Sequence, residues 1–302
     1  MAPPSNDVPL QDVLSRTISS DRRESSALKA AGNANISHSS AFQLQGRIAD
    51  AASDRLSWVR KQSDCFLRGE TRFSDEIINP NMITVYPAGV NKNWQGPTYA
   101  TPGVSDKVFT TDLVNRIKNN YCVDEARVYG TGHSKYSHPP SRVQSRSPML
   151  TVGQWSRFSW DPRLFPEHGG QFAAFAPISG AFYTDVSGDE NCHPSRSPIP
   201  MFEVHGTADP TISYDGGQGR GGPLPSIPDW LSRWARRNRC STSNTEDIAN
   251  GAHDTKWTCA NIPGLLEHIK IDGHDHSWPG PNNSPVDVSP LVIKFLSNNY
   301  KP

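Results

Sequence analysis

Arg127-Val-Tyr-Gly-Thr-Gly-His-Ser134 is the stretch on which the fold reading turns. Val128 and Tyr129 carry a short strand signal, two glycines bracket Thr131, and a serine follows. A strand that ends in a glycine-flanked serine and turns at once into a helix holds the serine Oγ clear of the backbone, at the C-terminal edge of a sheet. Glycine is needed there because it tolerates the strained turn. The pattern for such a turn is Gly-x-Ser-x-Gly; here it reads Gly132-His-Ser-Lys-Tyr136, without the last glycine. Taken alone, a glycine-serine surface turn is the stronger reading. The residues downstream reverse that.

Working outward, Asn81–Pro87 is a β-rich run stopped by proline, and Thr110–Tyr121 places Leu113, Val114, Ile117 and Tyr121 at helical spacing. Strand, helix and the Val128 strand together read as a βαβ unit, which implies a parallel sheet. Beyond Ser134 the chain changes character. Residues 136–165 are rich in proline and serine with no apolar period, and Pro139-Pro140 would stop a helix in its second turn. Order returns with strand signals over Gln171–Gly180, Pro200–Gly206 and Leu265–Ile271. Amphipathic helices are expected over Ile227–Arg237 and Pro290–Asn298. Residues 1–70 show only scattered helical spacing and read as a flexible segment preceding a domain over 71–302.

Composition bounds the function classes. The 302 residues carry 30 Lys and Arg against 30 Asp and Glu, a formal net charge of zero, which is no footprint for nucleic acid. No window reaches 18 uninterrupted apolar residues, so no membrane span is expected. The start, Met1-Ala-Pro-Pro-Ser-Asn-Asp-Val8, shows no signal-peptide pattern. Five cysteines contain no CxxC, so zinc is not expected. Cys240 and Cys259 flank a polar loop and are the favoured disulfide; Cys122 and Cys192 stay open, and Cys65 is expected to be unpaired.

Three polar groups fall just past the ends of three expected strands: Ser134, Asp209 and His276, separated by 75 and 67 residues. Strand C-terminal ends share one edge of an open parallel sheet, so the three can converge there. Ser134 is inert until a base takes its proton; His276 titrates near neutrality, and Asp209 would fix its tautomer. Each has a plainer reading. Asp209-Pro210 is a common turn former, His274 competes with His276, and Asp215 is a reserve acid. The run His274-Asp-His276 could also bind a metal, although no further ligand stands at suitable spacing.

At this point the residues carry a resemblance. Val128–Ser134, Phe172–Gly180, His205-Gly-Thr-Ala-Asp-Pro210 with Tyr214-Asp-Gly-Gly217, Pro228–Leu231 and Gly273-His-Asp-His-Ser-Trp-Pro279 resemble the fungal feruloyl esterases, the type C group especially. Wider relatives of that group are acetyl xylan esterases and polyhydroxybutyrate depolymerases. The resemblance covers residues 71–135 and 166–302. It implies an α/β-hydrolase fold, a mostly parallel sheet flanked by helices, disrupted near the N-terminus and after the nucleophile. It also implies a secreted serine esterase that releases ferulic acid from arabinose side chains of plant cell-wall xylan. By position, Ser134 would be the nucleophile, Asp209 the acid and His276 the base. The expected substrates are feruloylated arabinoxylan and small ferulate esters, with no cofactor and a monomeric chain. Acetyl xylan or polyhydroxybutyrate-type esters remain alternatives.

The chain also departs from that group. Tyr136 replaces the glycine that should follow the serine, and no His-Gly oxyanion loop precedes it; Arg68-Gly69 is the nearest stretch. The remaining oxyanion donor is the backbone N–H of Lys135. Residues 1–70 and 136–165 therefore read as products of altered splicing or a shifted frame, and an inactive hydrolase-like chain is the second reading. Trp94 and Trp278 are candidates to stack on an aromatic acyl group, with core packing equally open.

Overall fold

Strands buried on both faces need side chains that are apolar, small or paired internally, and the central strands of this protein have them. A computed structural model describes residues 69–86, 94, 96–133, 150–151, 170–183, 194 and 196–301. The expectations for residues 1–68, for Ser134 and Lys135, and for all of 136–165 except Leu150 and Thr151 lie outside the described residues. In chain order the elements are β1 (Thr84–Val85), α1 (Asp106–Asn120), β2 (Tyr129–His133), β3 (Leu150–Thr151), β4 (Ala174–Ile178) and β5 (Met201–Gly206). There follow β6 (Gly217–Gly219), β7 (Gly222–Leu224), α2 (Ile227–Arg237), β8 (Cys240–Ala249), β9 (Ala252–Cys259), β10 (Ile262–Ile271) and α3 (Val288–Asn298).

Six strands form one sheet in the order β2-β4-β5-β10-β9-β8. β2, β4, β5 and β10 run parallel, while β9 and β8 extend the sheet antiparallel. Every residue of β2, β4 and β5 is buried, so their few polar side chains, Glu203 and His205 among them, are paired inside the protein rather than turned to water. Two cores sandwich the sheet. On one face Met201 and Leu266 meet Trp230, Leu231 and Trp234 of α2 and Val114 of α1. On the other, Phe202, Val204, Ile269 and Ile271 meet Val292, Phe295 and Leu296 of α3. The result is a three-layer α/β architecture.

The helices start where capping chemistry permits. Ser226 Oγ accepts from Asp229 N at 3.1 Å, Pro228 sits in the first turn, and Arg236 and Arg237 close the last turn of α2. α1 begins four residues earlier than the apolar spacing predicts, because Ser105 caps it by accepting from Val108 N. α3 likewise starts at Val288, two residues early, capped by Asp287, which also pairs with Arg72.

Two expectations are corrected. The strand read at Asn81–Pro87 is only the two-residue β1, and it does not enter the main sheet. It pairs antiparallel with β3, so the βαβ unit read from strand, helix and strand is not formed by β1 and β2 among the described residues. β3 itself lies inside the stretch read as an irregular insert. The polar loop expected between Cys240 and Cys259 is instead a long hairpin of β8 and β9. β8 is exposed over eight consecutive residues, so it buries no face and leaves no hydrophobic period to read.

Cys240 and Cys259 are paired in register across that hairpin and joined by a disulfide. A crosslink closing a loop of 19 residues stabilises by about 3 kcal/mol in the loop-entropy account. Cys240→Ser is expected to lower unfolding free energy by about that amount in a denaturant titration, with the packing around β2 retained, because the hairpin lies at the far edge of the sheet from β2.

Candidate active site

The parallel register aligns His133 with Ile178, Ile178 with Val204, and Gly206 with Ile271, so four strand C-termini share one edge of the sheet. The chain leaving β5 turns tightly there. Thr207 N donates to Ile271 O at 2.9 Å, Ala208 N to His274 O at 3.1 Å, and Gly273 N to Thr207 Oγ1 at 2.8 Å. These bonds bring the loops after β5 and β10 into backbone contact. A Cβ at Gly206 would lie 2.1 Å from the His274 carbonyl oxygen, so only glycine allows this approach.

Asp209 is held by both of its oxygens. Oδ1 accepts from the backbone N–H of Thr211 and of Ile212, each at 2.8 Å, which makes the Asp-Pro turn expected from sequence. Oδ2 is thereby turned to the β10 side, where His276 Nδ1 donates to it at 2.6 Å. The turn reading and the acid reading of Asp209 are thus compatible: the turn is what aims the carboxylate. Burial would raise its pKa, but hydrogen bonds from His205 and His276 outweigh burial and hold it well below the usual carboxylate range.

With Nδ1–H donated to Asp209, the Nε2 of His276 carries the free lone pair. That atom is buried and has no hydrogen-bond partner among the described residues. Its ring lies 5.1 Å from the ring of His133, the residue preceding Ser134. His133 Nε2 donates to the His276 carbonyl oxygen at 2.7 Å, tying the end of β2 to the loop that carries His276.

The competing residues go elsewhere. His274 Nε2 is 3.1 Å from the Ser277 carbonyl oxygen, and Asp275 Oδ1 accepts from Ser277 N at 2.9 Å. His274 and Asp275 thus both turn to Ser277, and His276 alone of the three turns to Asp209. Asp215 is exposed in the loop before β6. Trp94 and Trp278 are 3% and 2% exposed. Trp94 packs against Phe109, and Trp278 meets Phe73 edge-on and donates Nε1–H to Ser289 Oγ at 3.0 Å.

Sequence reasoning missed a polar stripe behind Asp209. Glu203 and His205 alternate along β5 on one face, and His268 of β10 lies beside Glu203 in register. His205 Nδ1 is 2.9 Å from Glu203 Oε1, its Nε2 is 3.4 Å from Asp209 Oδ2, and Glu203 Oε2 is 2.7 Å from His268 Nδ1. The available signal was the pair of ionisable residues two apart within the otherwise apolar run Met201-Phe-Glu-Val-His-Gly206.

A mostly parallel sheet with helices on both faces, and an Asp–His couple at its strand C-termini, fits the α/β-hydrolase class. No family model matches the chain. Among curated proteins, the bifunctional acetylxylan esterase/xylanase XynS20E of Neocallimastix patriciarum is 23% identical over 216 residues, 72% of this chain and 27% of that protein. A probable feruloyl esterase C of Aspergillus niger is 21% identical over 203 residues, 66% of this chain and 57% of that protein. The putative esterase NocK of Nocardia uniformis subsp. tsuyamanensis is 25% identical over 217 residues, 65% and 56% of the two chains. The chain thus spans from about a quarter to just over half the length of these relatives. What the three share by name is esterase activity, and the chain is similar to esterases at this distance.

Proposed function

We propose that this protein is a serine esterase acting on carboxylic esters of plant cell-wall polysaccharide, with feruloyl groups on arabinoxylan as its preferred acyl substituent. The observation that carries the reading is the 2.6 Å bond from His276 to Asp209, which leaves a buried Nε2 with no partner among the described residues, beside the strand that leads to Ser134. In this mechanism Ser134 Oγ attacks the ester carbonyl as His276 Nε2 takes its proton. The backbone N–H of Lys135 donates to the oxyanion, and the imidazolium returns its proton to the departing alcohol. Water, deprotonated by His276, then releases the acid from the acyl-enzyme. Asp209 keeps the His276 Nδ1 proton in place throughout. The Cys240–Cys259 disulfide supports a secreted, oxidising location for this chemistry.

A second reading within the same chemistry is acetyl ester hydrolysis, favoured by the similarity to a bifunctional acetylxylan esterase/xylanase. The test is fluorophosphonate labelling of the purified chain, with the adduct located by peptide mass, alongside turnover of methyl ferulate and of acetylated xylan. Labelling at Ser134 with methyl ferulate turnover is expected. Acetate release without ferulate release would assign the acetyl reading. A folded chain that takes no label would make this an inactive hydrolase-like protein.

A further inference from the structure

Behind Asp209 lies a buried ionisable group that the acyl-transfer steps do not use. His205 has no side-chain exposure, nor has Glu203 beside it. Its Nε2 is 2.8 Å from the Ile212 carbonyl oxygen. A carbonyl can only accept, so Nε2 carries a proton, which also points toward Asp209 Oδ2 at 3.4 Å. Nδ1, at 2.9 Å, faces Glu203 Oε1, and the other oxygen of Glu203 faces His268 Nδ1 at 2.7 Å. A carboxylate set between two ring nitrogens stays ionised, and the proton between Glu203 and His205 then resides on Nδ1.

We propose that His205 is a positioning residue: a buried imidazolium clamped between Glu203 and Asp209 that keeps the Asp209 carboxylate seated and offsets part of its pull on His276. The proposal rests on reading Asp209 and His276 as the acid and base of the esterase. Burial by itself would strip the proton from His205, but the Glu203 and Asp209 carboxylates outweigh it and raise the pKa to about 10. Glu203 in turn is held below the usual carboxylate range, since His205 and His268 outweigh its burial.

Counting charges shows what the clamp does. Glu203 and Asp209 are negative and His205 positive, a resting balance of one negative charge, which becomes zero when His276 takes the serine proton. Without the charge on His205, the Asp209 carboxylate in contact with His276 would be backed by the negative charge of Glu203, and the imidazolium would be favoured before substrate arrives. A base already protonated cannot act. The other groups near this cluster are few. Tyr214 meets His205 edge-on at 6.0 Å and places its hydroxyl 3.2 Å from His268 Nε2. His276 further faces the His133 ring and feels the charge of Asp275. β4, on the far side of β5, carries no ionisable side chain, and α2 turns Ile227, Trp230, Leu231 and Trp234 inward.

The test compares pH profiles of kcat/KM for p-nitrophenyl acetate in the full chain, His205→Gln, and the double variant Glu203→Gln/His205→Gln. Glutamine keeps a donor toward Ile212 and Asp209 but not the charge. The acid limb, where His276 loses its proton, is expected to move up by about half to one pH unit in His205→Gln. It should return toward the wild-type position in the double variant, which removes the opposing charge as well. An unmoved limb, or the same displacement in both variants, overturns the proposal. Ring-nitrogen NMR of the ¹⁵N-histidine wild-type chain decides independently of whether the variants fold. Both nitrogens of His205 are expected to stay protonated between about pH 5 and 8, where an ordinary histidine titrates. A ring that becomes neutral in that range overturns it too. If wild type shows no Ser134-dependent turnover, the esterase reading fails while the NMR result still tests the clamp.

Discussion

Ser134→Ala and His276→Ala are each expected to lower kcat for ester hydrolysis by on the order of 10⁶, and the double variant no further. In the proposed mechanism the two act as one unit: a serine hydroxyl is no nucleophile at neutral pH until its proton has somewhere to go, and an imidazole without the serine has nothing to activate. His276 is suited to the task by its surroundings. Its Nδ1 is occupied by Asp209, its backbone is fixed by His133, and its Nε2 is buried and unpartnered among the described residues. Initial-rate measurements on methyl ferulate, run beside a thermal melt of each variant, check the expectation. A folded His276→Ala chain that retained a tenth of wild-type kcat would remove His276 from the mechanism.

Asp209→Asn is expected to cost about 10⁴ in kcat while leaving the fold intact. The reason lies in how the two carboxylate oxygens are used. Oδ1 accepts two backbone N–H bonds, so the amide oxygen of asparagine would take that place and its NH₂ would face His276 and His205. An NH₂ group cannot accept the Nδ1 proton of His276. The ring would adopt the other tautomer, with its proton on Nε2, and could no longer receive the one from Ser134. The same NH₂ would meet the Nε2 proton of His205, so Asp209→Asn should also loosen the clamp behind it. Steady-state kcat separates this from a general loss of structure, because circular dichroism and melting should change little. A variant within tenfold of wild type would show that Asp209 does not set the tautomer.

Much of the sheet was legible in the sequence because burial on both faces leaves an unbroken local signature. β2, β4 and β5 are short runs of mostly apolar and small residues, and the sequence carries glycine or serine at or just past the end of each. α2 was legible for the complementary reason: Trp230, Leu231 and Trp234 repeat at helical spacing, while arginines cover the exposed face. The hairpin of β8 and β9 was not legible. It is held by strand pairing and the Cys240–Cys259 bond, and backbone pairing writes no side-chain period into an exposed strand. β1 was read as a strand but assigned to the wrong sheet, since two residues of extended chain do not say what they pair with.

The sequence by itself determined which polar residues stand at strand ends, and in which order, because strand, turn and glycine signals are local. Asp209 and His276 were both found this way, from the residues just beyond Gly206 and Ile271. Only the tertiary structure decided that Asp209 bonds to His276 and not His274. That choice depends on the close approach of two loops at Gly206, where no Cβ fits. The tertiary structure also decided that Glu203, His205 and His268 form one buried polar stripe reaching Asp209. A buried charge is tolerated only where its partners are, and His268, brought from β10 by parallel register with β5, is far from Glu203 in the chain.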